Sequence, residues 1–247
     1  MYNPFSLEGK TILVTGASSG IGRATAIECS KMGAQVIITA RNEARLLETY
    51  NHLEGENHQM IICDLADEAA INLMVETITQ IDGLVNNAGI SHTTPIGFIK
   101  PADVERLFAT NAFAPMLLTK ALLKKKKLNN GTSIVFVSSA ASINPDVANS
   151  VYSATKAAIS SFSRSCAKEL ATKSIRSNSV HPGMVETELV QNLVFSEEEL
   201  TADKARYLMK RYGKPEEVAW AIIYLLSDAS AWVTGTQLVI DGGVLLK

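Results

Sequence analysis

Residues 10–40, KTILVTGASSGIGRATAIECSKMGAQVIITA, decide the fold. Residues 10–15 are a short apolar run, 16–22 a glycine-rich turn, and 23–33 a helix-compatible segment stopped by Gly33. Residues 35–40 then form a second buried strand. Strand, glycine turn, helix and strand make the first unit of a nucleotide-binding βαβ.

The alternation continues outward. Helices are expected at 42–52 and 67–80, from Pro101 through Asn111 to Lys127, from 151 to about Thr172, and at 214–226; strands are expected at 59–63, 83–86, 133–137, 175–180 and 237–240. Strands that alternate with helices pair in parallel, because each right-handed crossover returns the chain to the same end of the sheet. The expected class is α/β: one domain over 1–247, a doubly wound parallel sheet (Rossmann fold) of about seven strands with helices on both faces. Ligands bind such sheets beyond the carboxyl ends of the strands, where Gly16, Asn86, Ser139 and Pro182 all fall. From 184 to 212 the periodicity weakens, with Glu197, Glu198 and Glu199 near apolar Leu189 and Leu193. That segment reads as a substrate lid or as an ordinary amphipathic helical pair.

Composition excludes several functions. The chain is 47% hydrophobic with a net charge of −2, which offers no field for nucleic acid. No apolar run is long enough for a membrane span, and the first residues have neither a basic leader nor an apolar h-region, so a cytoplasmic protein is expected. The basic run 124–127 reads as a solvated helix end or as a docking patch for an acidic carrier. Cys29, Cys63 and Cys166 lie far apart, as reduced structural thiols do, and no metal-ligand spacing occurs.

The chemistry concentrates in residues 135–158. A strand delivers Ser138 and Ser139 at its end; Tyr152 and Lys156 follow four residues apart, which stacks phenol and ammonium on one helix face. A cation beside a phenol favours the phenolate, so Tyr152 is expected to titrate below the usual value of about 10. In the glycine turn, Gly16, Ser18, Ser19, Gly20, Ile21 and Gly22 would cradle a pyrophosphate at the positive end of a helix. At the end of the second strand, Ala40-Arg41-Asn42 offers a cation where an acid would read a ribose hydroxyl. Arg41 therefore favours NADP(H), with NAD(H) as the alternative. Asp64 either bonds the adenine amine or caps the Asp64-Leu65-Ala66 turn.

Thr15-Gly16-x-x-x-Gly20-x-Gly22, Asn86-Asn87-Ala88-Gly89, Asn111, Ser139, Tyr152-x-x-x-Lys156 and Pro182-Gly183, in this order, resemble the motif set of the short-chain dehydrogenase/reductase family over nearly the whole chain. The broad pattern is similar to 3-oxoacyl-carrier-protein reductases. The resemblance implies that Tyr152 is the general acid/base, that Ser139 polarises the substrate oxygen, and that Lys156 binds the nicotinamide ribose and lowers the tyrosine pKa. Asn111 would kink its helix and support a water relay to Lys156. Asn87, Ala88 and Gly89 would contact the adenosine side; Pro182, Gly183, Val185 and Thr187 would hold the nicotinamide carboxamide. It further implies a homotetramer acting on a small carbonyl or alcohol substrate, possibly one linked to a carrier. Ser139, Tyr152, Ile90, His92, Ala141, Val147, Met184, Leu189 and Leu193 would line the substrate cavity. The absence of a basic residue at Ser18 or Ser19 keeps NADH open. The rival reading is a noncatalytic dinucleotide sensor, which should have a broken Ser-Tyr-Lys set; this one is intact.

Overall fold

The computed structural model describes residues 2–187 and 196–246. In chain order the strands and α-helices are β1 (Thr11–Thr15), α1 (Gly20–Lys31), β2 (Gln35–Ala40), α2 (Glu43–Tyr50), β3 (Gln59–Ile62), α3 (Glu68–Thr77), β4 (Ile81–Asn86), α4 (Pro101–Phe108), α5 (Ala114–Lys124), β5 (Leu128–Val137), α6 (Ser150–Glu169), β6 (Arg176–Pro182), α7 (Glu197–Arg206), α8 (Pro215–Leu226) and β7 (Gln237–Ile240). The strands form one parallel sheet in the order β3-β2-β1-β4-β5-β6-β7. The order reverses between β1 and β4, which opens a crevice at the carboxyl edge.

Both faces of the sheet are buried, which explains why its central strands read as continuous apolar runs. Alternate residues serve opposite cores. Ile12, Val14, Val36 and Ile38 pack with Ala26 and Cys29 of α1 and with Val218 and Ile222 of α8. Leu13, Ile37, Leu84, Ile134 and Phe136 pack with Ile71 of α3, Leu118 and Leu122 of α5 and Ile159 of α6. Phe136 meets Phe162 edge to face, with ring centroids 5.8 Å apart.

Element ends shift by a few residues from the sequence reading, most consequentially around α4, α5, β5 and β4. The helix expected from Pro101 to Lys127 is interrupted by a π-helical segment, Ala109–Phe113, and ends at Lys124. β5 starts at Leu128, with Asn129-Asn130-Gly131 bulging from its ladder: Leu128 to Ser133 stands against only Ile81 to Gly83 of β4. The reversal comes earlier, at Lys126, whose φ of 56° is left-handed. The Ile81 N–H then donates to the Lys127 carbonyl at 2.8 Å, which also starts β4 two residues earlier than Gly83.

Phe136→Ala is expected to cost about 3–5 kcal/mol, because a central strand would lose a fully buried ring with no room to collapse. Chemical denaturation checks this as a lower midpoint at unchanged m-value.

Candidate active site

The turn after β1 is built by close backbone approach. Gly16 has φ 64°, and a Cβ there would lie 2.7 Å from Ala88 Cα; a Cβ on Gly22 would strike the Gly16 carbonyl. Asn87 Nδ2 donates to the carbonyls of Thr15 and Gly16 at 2.9 and 3.2 Å, while Thr15 Oγ1 accepts from the N–H groups of Asn87 and Ala88. Thus Asn87 and Ala88 brace the turn from β4. Ser19, the N-cap of α1, makes no side-chain cap bond, so the first N–H groups of that helix face the crevice unclaimed by a cap. Open helix donors behind a glycine turn fit a pyrophosphate. From the other side, Arg23 donates to the Ser18 carbonyl at 2.8 Å, and Thr49 Oγ1 donates to that of Ala17 at 2.9 Å. Ser18 and Gly20 lie at the rim, whereas Ile21 packs on the core below.

Arg41 follows β2 with its side chain 64% exposed, and its guanidinium lies 3.9 Å from the Asp64 carboxylate. Asp64 accepts from the Ala66 N–H at 3.0 Å, the turn-capping alternative, and Leu65 is core. At that distance the pair is loose, which leaves the Arg41 fork available.

Lys156 is buried, and its ammonium donates to the Val137 carbonyl at 2.8 Å, 5.8 Å from the Tyr152 ring centroid. Desolvation pulls its pKa down to about 8. The half-buried Tyr152 is also governed by desolvation, which raises its pKa, opposed by a hydrogen bond with the Ser139 side chain. The expectation is of a phenol that titrates early; here burial, opposed by the Ser139 bond, carries the shift upward instead. Ser139 Oγ also accepts from the Ala141 N–H at 3.1 Å. Asn111 sits in the π-segment with three hydrogen bonds on its amide. It accepts from Ile90 N–H and donates to Ile90 C=O, both at 2.8 Å, and reaches Thr155 Oγ1 at 3.1 Å. It therefore ties the post-β4 loop to α6. Gly89 lies between, where a Cβ would come 3.2 Å from Lys156 Nζ and 3.3 Å from Asn111 Oδ1.

Ser139, Tyr152, Lys156 and Asn111 thus converge at the carboxyl edge, beside the glycine turn. A hydroxyl bonded to a phenol can hold and protonate an oxygen, and a buried amine nearby can supply charge or a proton. The segment after β6 closes one side. The Gly183 N–H donates to the Ile240 carbonyl at 3.0 Å, and Met184 donates its N–H to Tyr207 Oη at 3.2 Å. Val185 pairs with Gly213, and its side chain is core, so only its backbone can face a ligand. Thr187 packs against the turn, 3.0 Å from where a Cβ on Gly20 would sit.

Ala141 is half-buried at the rim, and Val147 stands 93% exposed at the tip of its loop. His92 lies 2.8 Å from Thr94 Oγ1 and 3.4 Å from Asp103 Oδ2, and so is partly engaged already. Leu189 and Leu193 lie outside the described residues. The lysine run is at the wrong edge for a patch serving this cleft: it precedes β5, whose other end carries the site. Leu128 lies opposite Ile81 and Phe136 opposite Asn86, so about five residue steps along the sheet, roughly 17 Å, separate them. Lys125 pairs with Glu76, and Lys127 bonds the Ile78 carbonyl. Sequence reasoning missed Arg23, Thr49, Ser142, Thr155 and His181, all of which brace the site; polar residues on otherwise buried faces were the available signal.

A family model described as Enoyl-(Acyl carrier protein) reductase matches residues 16–245. The 3-oxoacyl-acyl-carrier-protein reductase FabG of Rickettsia conorii is 32% identical over 97% of this chain and 98% of its own. The L-xylulose reductase of Caenorhabditis elegans is 36% identical over 97% of each. Among solved structures, a protein assigned as a 2-deoxy-D-gluconate 3-dehydrogenase of Agrobacterium tumefaciens, with bound NADP, superposes over the full length of both chains with a TM-score of 0.89 at 30% identity.

Lys156 carries its charge at a cost, because its folded pKa of about 8 lies below the ordinary lysine value of 10.5. The unfolded chain binds more protons between those values, so stability from this group rises with pH through that window and the penalty is full below it. Lys156→Met is expected to raise the thermal midpoint at pH 7 by roughly 5 °C. The gain should shrink towards pH 10, as calorimetry at the two pH values would show.

Proposed function

Because the chain belongs to the short-chain dehydrogenase/reductase family, a family of NAD(P)-dependent oxidoreductases, we propose that it interconverts a carbonyl and a secondary alcohol, with NADP(H) preferred over NAD(H). The observation that carries this reading is the Ser139 hydroxyl, Tyr152 phenol and Lys156 amine gathered beside a glycine turn with an uncapped helix behind it. Gly16, Ser18, Ser19, Gly20, Ile21 and Gly22 would hold the pyrophosphate, Arg41 the 2′-phosphate, and Asp64, Leu65, Asn87, Ala88 and Gly89 the adenosine side. Lys156 would bond the nicotinamide ribose, and Pro182, Gly183, Val185 and Thr187 the carboxamide. Arg41's loose pairing supports the phosphate assignment, as does the NADP bound to a similar protein.

When bound, the nicotinamide supplies or takes the hydride. The protein's task is the oxygen. Ser139 donates to the carbonyl oxygen and stabilises the charge that develops there; Tyr152 delivers the proton in reduction and recovers it in oxidation. A phenol is protonated at neutral pH, as proton delivery in reduction requires. Asn111 holds Ile90 and Thr155, and so the spacing between the loop and α6. Met184, Ala141 and Val147 border the substrate, with the 184–212 region, of which 188–195 lie outside the described residues, as its lid. FabG's name supports a carrier-linked substrate and L-xylulose reductase's a sugar. The exposed Trp220, Trp232, Val239 and Leu246 support burial in a homotetramer.

A panel of ketones, sugars and acyl thioesters, run with both cofactors, tests the reaction. Tyr152→Phe should lower turnover by about a thousandfold with cofactor affinity unchanged; full activity would remove Tyr152 from the chemistry. Arg41→Ala should move the NADPH-to-NADH preference at least about tenfold towards NADH. An unmoved ratio would place the 2′-phosphate elsewhere.

A further inference from the structure

Behind the Ser139 turn lies a set of buried hydroxyls that the proposed chemistry does not use. At its centre is His181, fully buried on β6 and one residue before Pro182. Its Nδ1 lies 3.0 Å from Ser142 Oγ and its Nε2 2.9 Å from Ser179 Oγ. Ser142 has one proton to give, and its shortest bond, 2.6 Å, runs to the Ser139 carbonyl, which can only accept. With that proton committed, Ser142 Oγ must accept from the ring, so Nδ1 carries the hydrogen. Nε2 then accepts from Ser179, whose other acceptor, the Thr236 carbonyl, is farther off at 3.4 Å. The donors therefore run one way: Ser179, His181, Ser142, Ser139 carbonyl.

Ser142 is also a junction. Ser138 Oγ lies 3.3 Å from it and is bound to α6 through the Lys156 carbonyl at 2.9 Å and Ser160 Oγ at 2.8 Å. Three pieces meet there: the strand that leads into Pro182-Gly183, the turn that carries Ser139, and the helix that carries Tyr152 and Lys156. An apolar side chain would fill position 181 without the cost of desolvating an imidazole. The polar ring is explained by what it fixes.

We propose that His181 is a positioning residue: through Ser142 it fixes the Ser139 carbonyl, and with it the rotation of the turn that presents the Ser139 hydroxyl to Tyr152. The inference rests on the proton-transfer reading above. Burial and the nearby Lys156 charge both hold the imidazole neutral, the form a one-way chain requires, while the Ser139 backbone favours a proton on the ring side that faces it.

The tautomer is read in the cofactor-free protein by nitrogen NMR of labelled histidine: a protonated Nδ1 and bare Nε2 on His181 are expected, and the opposite tautomer overturns the chain. Kinetics then use whichever panel carbonyl turns over with NADPH. His181→Leu fills the space but cuts the link, and should lower kcat about ten- to a hundredfold with KM and the NADPH dissociation constant little changed. His181→Asn, whose amide can take the place of Nδ1–H, should recover most of that loss. Ser142→Ala should match His181→Leu, and the double variant should be no slower than the slower single one. Additive losses, failure of the asparagine to rescue, or a fall in cofactor affinity alone would each overturn the role. No turnover by the unsubstituted protein defeats the reductase reading; normal kcat in His181→Leu defeats this inference only.

Discussion

One amine held out of water organises the carboxyl edge of this sheet. Lys156 is buried, and among the described residues its hydrogen-bonded partner is one backbone carbonyl, that of Val137. A carbonyl is a poor substitute for water, and burial accordingly drags the amine towards neutrality. Nothing in packing requires a lysine there. The site tolerates it because the surrounding elements are pinned independently: Gly89 makes room above the ammonium, and Asn111 fixes the loop that Gly89 belongs to. A group this costly to bury marks a functional site more firmly than any exposed charge would.

The π-segment at Asn111 is the second consequence of the same arrangement. A regular helix from Pro101 to Lys124 would carry Asn111 at an ordinary helical angle. The wider turn instead lets its amide reach Ile90 by two bonds and Thr155 by a third. Helix, loop and α6 are locked through one side chain. The glycine turn follows the same logic in backbone form, where Gly16 and Gly22 allow Asn87 to reach two carbonyls that any Cβ would block.

How much of this could be read from the chain divides by the range of the forces involved. The β1–turn–α1 unit and the Tyr152–Lys156 pair were legible, because hydrophobic period and a four-residue spacing are local. The π-segment was not legible from periodicity, since Asn111's partners lie 21 and 44 residues away; only the family resemblance pointed to a kink there. The direction of Tyr152's shift was misread for a similar reason: proximity of the amine is local, but desolvation belongs to the assembled core, and it carries the shift upward. The sequence leaves the lysine run open between a helix end and a docking patch, although its place is decidable, and it is a helix end. A helix end that precedes a parallel strand lies at the amino edge, away from any ligand crevice. His181 looked like the end of a strand, and only the fold brings Ser142 to it across 39 residues.

The groups that carry the proposed chemistry are fixed largely by backbone acceptors and donors: Val137 C=O for Lys156, Ile90 for Asn111, Thr15 and Gly16 for Asn87. Such bonds do not depend on what substrate arrives, which is why similar frames can serve proteins named for ketoacyl and for sugar substrates. Choice of substrate must then lie where the fold constrains least. The loop that bears Val147 meets α7 through an ion pair, Arg206 to Asp146 at 3.0 Å, between two half-exposed side chains. Exposed pairs of this kind contribute about 1 kcal/mol or less, so this crossing can open at little cost. Tyr207, by contrast, anchors the end of α7 by accepting from the Met184 N–H and stacking edge to face on Tyr212. Anchor and clasp fall on adjacent residues at the carboxyl end of α7, Tyr207 and Arg206, so that end is held firmly beside Met184 and Tyr212 while its crossing to the Asp146 loop stays weak.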